Sequence, residues 1–226
     1  MTLRAALAIL AVLSGPVVAA PAGDLDAPPA TLVAGEPTYG AKIDPVFAHL
    51  TLARLSCSFT EQKHVALLAK PLRSTGTILF ERDRGIVRTT LTPKPQQVVL
   101  TKTTLRIKKD KRVEEVPLDK SKDLKAFATI FPTLLRGERA ELEKAFTIGL
   151  YGSDADWWAL TFAPKTESLK KLVKSVTVFG KKSELVSLQV IEASGDSTDT
   201  QLASIRKNKD VTDAEITTAF GASEAR

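Results

Sequence analysis

Short extended segments separated by turn residues account for most of this chain after Cys57. Apolar and polar residues alternate within them, which is the period of a β-strand with one buried face. About ten or eleven strands are predicted in this way. We therefore predict an α+β protein, mainly antiparallel β, with one large curled sheet and helices on one face. The predicted strands are Ser58–Lys63, Arg73–Phe80, Ile86–Leu91, Gln97–Thr101, Thr104–Ile107, Arg112–Val116, Phe146–Tyr151, Trp157–Ala163, Ser175–Phe179, Leu185–Ile191 and Thr198–Arg206.

A helix is predicted before the first strand. Asp44-Pro45 is typical of a helix start, with Asp44 as the N-cap and Pro45 at the first helical position. The apolar residues that follow have helical spacing, so we expect this helix to run to about Ser56.

A second helical pattern lies in the middle of the chain. Lys120–Arg136 carries apolar residues at steps of three and four, which form a wide stripe. Pro132 lies inside this pattern and is expected to kink or break the helix near Phe131. Gly137–Lys144 is predicted to add a short turn, and the last helix is predicted over Asp213–Phe220.

The N-terminus resembles a secretory signal peptide. Arg4 precedes an apolar run, Ala5–Leu13, and small residues at Val17 and Ala19 suit signal peptidase. The run is shorter than the about 20 residues that a membrane-spanning helix needs. We therefore expect residues 1–19 to be removed after Ala19, which would place the protein in the periplasm.

The rest of the chain suits one domain. Residues 20–43 are rich in proline and are expected to be a flexible leader. The folded domain is expected over residues 44–221, with a tail over 222–226.

Composition argues against several kinds of chemistry. Cys57 is the single cysteine, so no intramolecular disulfide can form, and we expect a buried and inert thiol. His49 and His64 belong to no nucleophile motif or zinc spacing, so no catalytic residue, metal or cofactor is predicted. The net charge of +6 could suit nucleic acid, but an exported protein rarely meets any, so anionic lipid or acidic protein partners are favoured.

Five motifs, in order, resemble those of one protein family. Together they cover about residues 45–208, and each is weak alone. They are Phe59–Lys63, Leu72–Arg82, Thr92-Pro93, Trp158–Pro164, and Gly195–Thr200 with Ile205–Asn208. The chain resembles the LolA family, periplasmic carriers that take lipoproteins from the inner to the outer membrane.

The resemblance implies a half-open β-barrel of about eleven strands, closed by a helical lid over an apolar cavity that holds acyl chains. It implies a monomer that carries acylated lipoprotein or lipid cargo, does not bind nucleic acid, and meets an inner-membrane release complex and an outer-membrane acceptor. The chain departs from the family pattern at Asp83, where a proline is common, and at Arg88, where a tryptophan is common. Lys102-Thr103 stands where an Asp-Gly turn is usual. These departures indicate a divergent member.

Arg82 receives a specific hypothesis. Strand alternation places Ile78, Phe80 and Arg82 on one face. If that face is concave, the guanidinium could bond backbone carbonyls of the lid helices and hold the empty carrier closed. An ordinary edge-strand charge is the competing interpretation.

The remaining candidate ligand contacts are apolar. Core packing explains them equally well, because the wall of an empty cavity is also a core. Of the two adjacent tryptophans, Trp158 is expected to point inward with Leu160. The complete set of candidates is Phe47, Leu50, Ile78, Phe80, Arg82, Ile86, Phe127, Phe131, Leu134, Trp158 and Leu160.

Three other functions stay open. The first is a carrier for a lipid or glycolipid that is not a lipoprotein, which the departures near Arg82 favour. The second is a lipid-processing enzyme, although no Gly-x-Ser-x-Gly elbow is present. The third is an interaction protein that docks an envelope complex through a sheet edge.

Overall fold

A single antiparallel sheet of eleven strands is the framework of the described part of the chain. The structure is a computed structural model that describes residues 27–224, with side chains up to residue 221. The predicted signal peptide lies outside the described residues. The strands are β1 (Arg54–His64), β2 (Leu72–Glu81), β3 (Gly85–Thr92), β4 (Gln96–Leu100), β5 (Thr104–Lys109), β6 (Arg112–Pro117), β7 (Phe146–Gly152), β8 (Trp157–Pro164), β9 (Val173–Lys181), β10 (Glu184–Glu192) and β11 (Ser197–Lys207).

The order of the strands is β6-β5-β4-β3-β2-β1-β11-β10-β9-β8-β7. Each half is a meander, and the pairing of β1 with β11 joins the halves. The edge strands β6 and β7 do not pair with each other in the described structure, so the curled sheet stays open. This confirms the predicted α+β class with a mainly antiparallel, half-open sheet.

The helices of the described chain connect or flank these strands. The segment between β6 and β7 joins opposite edges of the sheet, so it has to cross one face, and three of the helices belong to it. They cover the inner face, which confirms the expected helical layer. The helices are α1 (Asp44–Leu50), α2 (Lys122–Ala128), α3 (Ile130–Leu135), α4 (Arg139–Ala145), α5 (Glu167–Lys170) and α6 (Asp213–Glu224).

Strand alternation builds the inner face. On β1, Leu55, Cys57 and Phe59 are buried while the residues between them are half-exposed. They join one large core with α1, α2 and α3. Burial of such side chains contributes about 1.5–3 kcal/mol each, so the layer of helices and the sheet stabilise one another.

One helix covers part of the outer face, and a separate contact protects an edge strand. α6 packs Ile216 and Phe220 against Val87 and Val99 of the sheet. On the other half of the sheet, Thr38 exchanges backbone hydrogen bonds of 2.7 and 2.9 Å with Leu150 at the edge strand β7. Pairing of this kind protects an edge that would otherwise expose backbone donors and acceptors.

The leader expected over residues 20–43 is thus part of the fold in its later half. Thr38 pairs with β7, a 3-10 turn spans Gly40–Ile43, and the side chain of Ile43 is fully buried. At the other end, α6 extends to Glu224 and overlaps the expected tail.

The prediction for the first helix was wrong at both ends. Asp44 is not an N-cap, because α1 already includes it, and its carboxylate pairs instead with Arg139. α1 ends at Leu50 rather than Ser56, and Thr51 has extended backbone angles. The apolar residues from Leu55 onward suit a helix or a strand, and pairing with two neighbouring strands decides for β1.

The break in the central helix lies before the predicted position. α2 ends at Ala128 and α3 begins at Ile130, so the break falls at Thr129 instead of near Phe131. A proline ring clashes with the carbonyl four residues earlier, which here is that of Ala128. Pro132 itself lies in the first turn of α3, where its missing N–H costs little.

Candidate functional site

A cavity lies between α2, α3 and the inner face of the sheet. Its empty volume is about 680 Å³, including a part open to solvent. The helices contribute Phe127, Ala128, Ile130, Phe131 and Pro132, and the sheet contributes Glu61, Ile78, Ile86, Arg88, Val98, Val176, Leu188 and Thr200.

The break at Thr129 shapes the helical wall. The Oγ of Ser121 caps α2 by accepting a 3.2 Å hydrogen bond from the backbone N–H of Leu124. α2 then presents Phe127 to the cavity, and α3 presents Phe131 after the change of direction. The helical wall is therefore built from two short helices, each of which contributes one aromatic ring.

An ion pair interrupts the apolar wall. Arg88 Nη2 lies 2.9 Å from Glu61 Oε2, and the two side chains are 5% and 2% exposed. The Glu61 carboxylate also accepts hydrogen bonds from Ser74 Oγ at 3.2 Å and from Thr200 Oγ1 at 3.1 Å. Burial of a charged pair is costly unless its remaining polar atoms are also bonded, and this carboxylate meets that condition.

The register of the sheet explains how these side chains meet. Glu61 of β1 stands opposite Ser74 of β2 and Thr200 of β11. Arg88 of β3 stands opposite Ile78, and its guanidinium lies over the ring of Phe59, 4.3 Å from the ring centre. Such a cation–π contact holds the cation in place independently of the carboxylate.

Further polar side chains lie beyond the pair on the inner face. Lys63 Nζ is 2.7 Å from Glu192 Oε1, with side chains 13% and 10% exposed. Thr198, which stands opposite Lys63 in the register, has a buried Oγ1 with no hydrogen-bond partner in the described structure. The inner face thus changes from apolar to polar along the strands.

Arg82 connects the sheet with the ends of two helical segments. Its Nη2 donates a 2.9 Å hydrogen bond to the carbonyl of Leu52, after α1. Its Nη1 donates a 3.1 Å hydrogen bond to the carbonyl of Arg136, the residue that follows α3. Both acceptors are backbone carbonyls, and that of Arg136 directly follows a helix of the layer over the inner face.

Comparison with models of known protein families shows to which family the chain belongs. The family model described as outer membrane lipoprotein carrier protein LolA-like matches residues 35–223. The chain belongs to this family. A comparison with curated proteins finds no match.

Solved structures similar to this LolA-like chain share little sequence with it. A LolA superfamily protein from Nitrosomonas europaea is 10% identical, with a TM-score of 0.41 over 78% of this chain and 97% of that one. A DUF1329 family protein from Desulfovibrio piger is 11% identical, with a TM-score of 0.41 over 77% and 97%. A domain assigned to an outer-membrane lipoprotein-sorting protein of Vibrio parahaemolyticus is 9% identical, with a TM-score of 0.43 over 79% and 96%.

The predicted contact residues of this LolA-like chain fall into three groups. Ile78, Ile86, Phe127 and Phe131 lie on the cavity wall. Arg82 does not line the cavity and bonds the backbone that follows two helical segments. The others pack in the large core and do not line the cavity: Phe47, Leu50, Phe80, Leu134, Trp158 and Leu160.

Trp158 shows why a buried aromatic residue is a poor guide to a ligand site. It points inward as alternation predicts, and its side chain is fully buried. Its ring packs against Gly180, where a Cβ would lie 2.0 Å from the ring, and its Nε1 bonds the carbonyl of Lys182. Trp158 therefore packs against the hairpin of β9 and β10 and does not line the cavity.

Sequence reasoning missed the polar part of the wall. Glu61 shares a face with Phe59, and Arg88 shares a face with Ile86, so alternation alone places both charges inward. The contributions of Val176, Leu188 and Thr200 could not be found in this way, because they depend on the pairing of the two halves of the sheet.

The structure also shows the surroundings of the Cys57 thiol. Its side chain is buried on the inner face, and burial raises the pKa of the thiol to about 12, against a smaller opposite effect of a backbone hydrogen bond with Ile78. No group of three or more His, Cys, Asp or Glu side chains is arranged to hold a metal among residues 27–221. Of the helices described, none combines the length and hydropathy that crossing a bilayer requires.

Proposed function

We propose that this protein is a periplasmic carrier that shields the acyl chains of lipoproteins, or of related lipids, between the inner and outer membranes. The observation that carries the proposal is the mainly apolar cavity between the α2–α3 layer and the sheet. Each methylene exposed to water costs about 0.8 kcal/mol, so an acyl chain needs such a shelter to cross an aqueous compartment.

The α2–α3 layer is suited to act as a lid. Both helices are short and are separated at Thr129, and the contacts of Arg82 with Leu52 and Arg136 lie at the ends of the helical segments. A few hydrogen bonds at one end can be broken without unfolding the sheet. In this proposal an inner-membrane release complex loads the cargo, and an outer-membrane acceptor receives it.

A second candidate is a carrier for a lipid that is not a lipoprotein. The buried Glu61–Arg88 pair in the cavity wall favours it, because hydrocarbon alone forms no hydrogen bond or ion pair with charged side chains, whereas a polar lipid head group does. Both candidates bind acyl chains and differ in the group to which the chain is attached.

The carrier proposal is tested with a fluorescent fatty acid and the purified protein. We expect saturable binding at one site, and we expect Val98→Phe to weaken it about tenfold or more because the added ring occupies the cavity. Val113→Phe is the matched control, since Val113 is 54% exposed on β6 and does not line the cavity. Equal affinity of the two variants, or no binding by the wild type, would contradict the proposal.

Native mass spectrometry of protein isolated from the periplasm then separates the two candidates. An acylated peptide mass indicates lipoprotein cargo, and a small lipid mass indicates the second candidate.

A further inference from the structure

We propose that Arg88 and Glu61 form a binding site for the acidic end of an acyl ligand. Arg88 exchanges Glu61 for a carboxylate or phosphate group of the ligand, whose hydrocarbon chain fills the cavity. This inference rests on the proposed acyl-binding function and specifies the class of ligand.

The position of the pair is the first reason. Both side chains line the cavity, next to apolar residues such as Ile78 and Val98. A buried ion pair adds little to stability, and apolar residues of similar volume often replace one without loss. A charged pair in the wall of an otherwise apolar cavity therefore suits recognition better than packing.

Arg88 is prepared to change partners. Its guanidinium lies over the ring of Phe59, 4.3 Å from the ring centre, a contact that does not involve Glu61. The planar guanidinium presents pairs of N–H donors that match the oxygens of a carboxylate or a phosphate. An acidic group that enters the cavity thus meets a cation that is already in place.

Glu61 can release Arg88 without losing all its partners. The hydroxyl groups of Ser74 and Thr200 both donate to its carboxylate. These bonds come from strands on either side of β1 and do not depend on Arg88. In the exchange Arg88 gains a charge-assisted bond to the ligand, while Glu61 loses its cation and keeps these two hydroxyl donors, so the bond to Glu61 competes with the ligand.

The polar side chains beyond the pair support the same orientation of a ligand. Thr198 lies two residues before Thr200 on the same face of β11, is 1% exposed, and has an Oγ1 without a partner in the described structure. A buried hydroxyl without a partner is uncommon. Thr198 does not itself line the cavity, but its unused hydroxyl lies two residues from Thr200, which does, so polar groups continue along this face of β11.

Competition with a fluorescent acyl probe tests the proposal, with palmitic acid, methyl palmitate and palmitoyl lysophosphatidic acid as competitors. We expect the wild type to bind at least one of the two acids about tenfold tighter than the methyl ester, the usual effect of one charge-assisted bond. The acid that is preferred identifies the head group as carboxylate or phosphate. Glu61→Gln should increase the preference for that acid over the ester several-fold.

Arg88→Met alone leaves the buried Glu61 carboxylate without its cation and destabilises the fold, so the double variant Glu61→Gln/Arg88→Met is used for the test. It should bind the two acids no tighter than methyl palmitate. The matched control is Glu115→Gln/Arg106→Met, which removes an ion pair of the same types from β5 and β6, away from the cavity. The control should keep the preference.

The outcomes separate the two proposals. Binding of the ester without any preference for an acid, or a preference that survives in the double variant, overturns the acidic-ligand site and leaves the carrier function intact. Failure of the ester and both acids to bind the wild type overturns the carrier function and the acidic-ligand site together.

Discussion

Arg82 donates a 2.9 Å hydrogen bond from Nη2 to the backbone carbonyl of Leu52, 30 positions earlier in the chain. The other terminal nitrogen reaches Arg136, directly after α3. One side chain thus holds together the turn after β2, the exit from α1 and the end of the helical layer over the cavity.

Replacement of Arg82 tests whether these bonds keep the layer closed. We expect Arg82→Leu to lower the free energy of unfolding by about 1–3 kcal/mol, because hydrogen bonds to charged groups contribute on this scale and the site is half-exposed. We also expect a bound fluorescent acyl probe to dissociate faster in stopped-flow measurements. Arg73→Leu, at an exposed position on β2, should change neither quantity. An unchanged dissociation rate in Arg82→Leu would show that Arg82 does not control the lid.

The effects of substituting Glu61 and Arg88 on the free energy of unfolding should be strongly non-additive. Arg88→Met leaves a buried carboxylate with two neutral donors, so we expect a loss of about 3–5 kcal/mol. The double variant Glu61→Gln/Arg88→Met removes both charges and should recover most of that loss. Urea unfolding of the two single variants, the double variant and the wild type gives the coupling free energy. Additive losses would mean that the two charges do not depend on each other.

Cys57 is expected to resist modification in the folded protein. Burial holds the pKa of its thiol at about 12, so almost no thiolate exists at pH 8, and the side chain is also closed to reagents. Alkylation followed by mass spectrometry should show slow labelling in buffer and complete labelling in denaturant. Rapid labelling of native protein at pH 8 would mean that the helical layer opens often enough to expose β1.

The start of α6 should weaken in acid. Glu215 accepts hydrogen bonds from Arg206 and from the backbone N–H and Oγ1 of Thr212, and these partners lower the pKa of its carboxyl to about 2. A depressed pKa stabilises the fold above the ordinary value of 4.5, and that contribution is lost as the pH falls from there toward 2. The backbone N–H of Glu215 also bonds Thr212, which completes a capping box.

NMR hydrogen exchange measures this effect. Amides of α6 should lose protection between pH 5 and pH 3 in the wild type, relative to those of β1. In Glu215→Gln the protection at pH 5 should already be lower, and it should change less with pH. Identical pH profiles in the two proteins would contradict the role of this carboxylate.

Local pattern was sufficient for the strands and for the presence of the helices. Alternation located the β-strands because each residue alternately faces the core or the other side of the sheet, whichever strands are its neighbours. It failed for the residues between Leu50 and Cys57, where the apolar spacing suits both a helix and a strand. The pairing of β1 with β2 and β11 decided that case.

The sequence by itself determined the class of fold, the family resemblance and the inward direction of side chains such as Phe59 and Ile78, since these depend on periods of two and on local motifs. Only the tertiary structure decided that Trp158 packs against the hairpin of β9 and β10, while Arg88 lines the cavity. It also decided that Glu61 meets Thr200, a residue 139 positions away. Such contacts depend on the register between distant strands and on the path of α2 and α3, which the whole chain sets by packing.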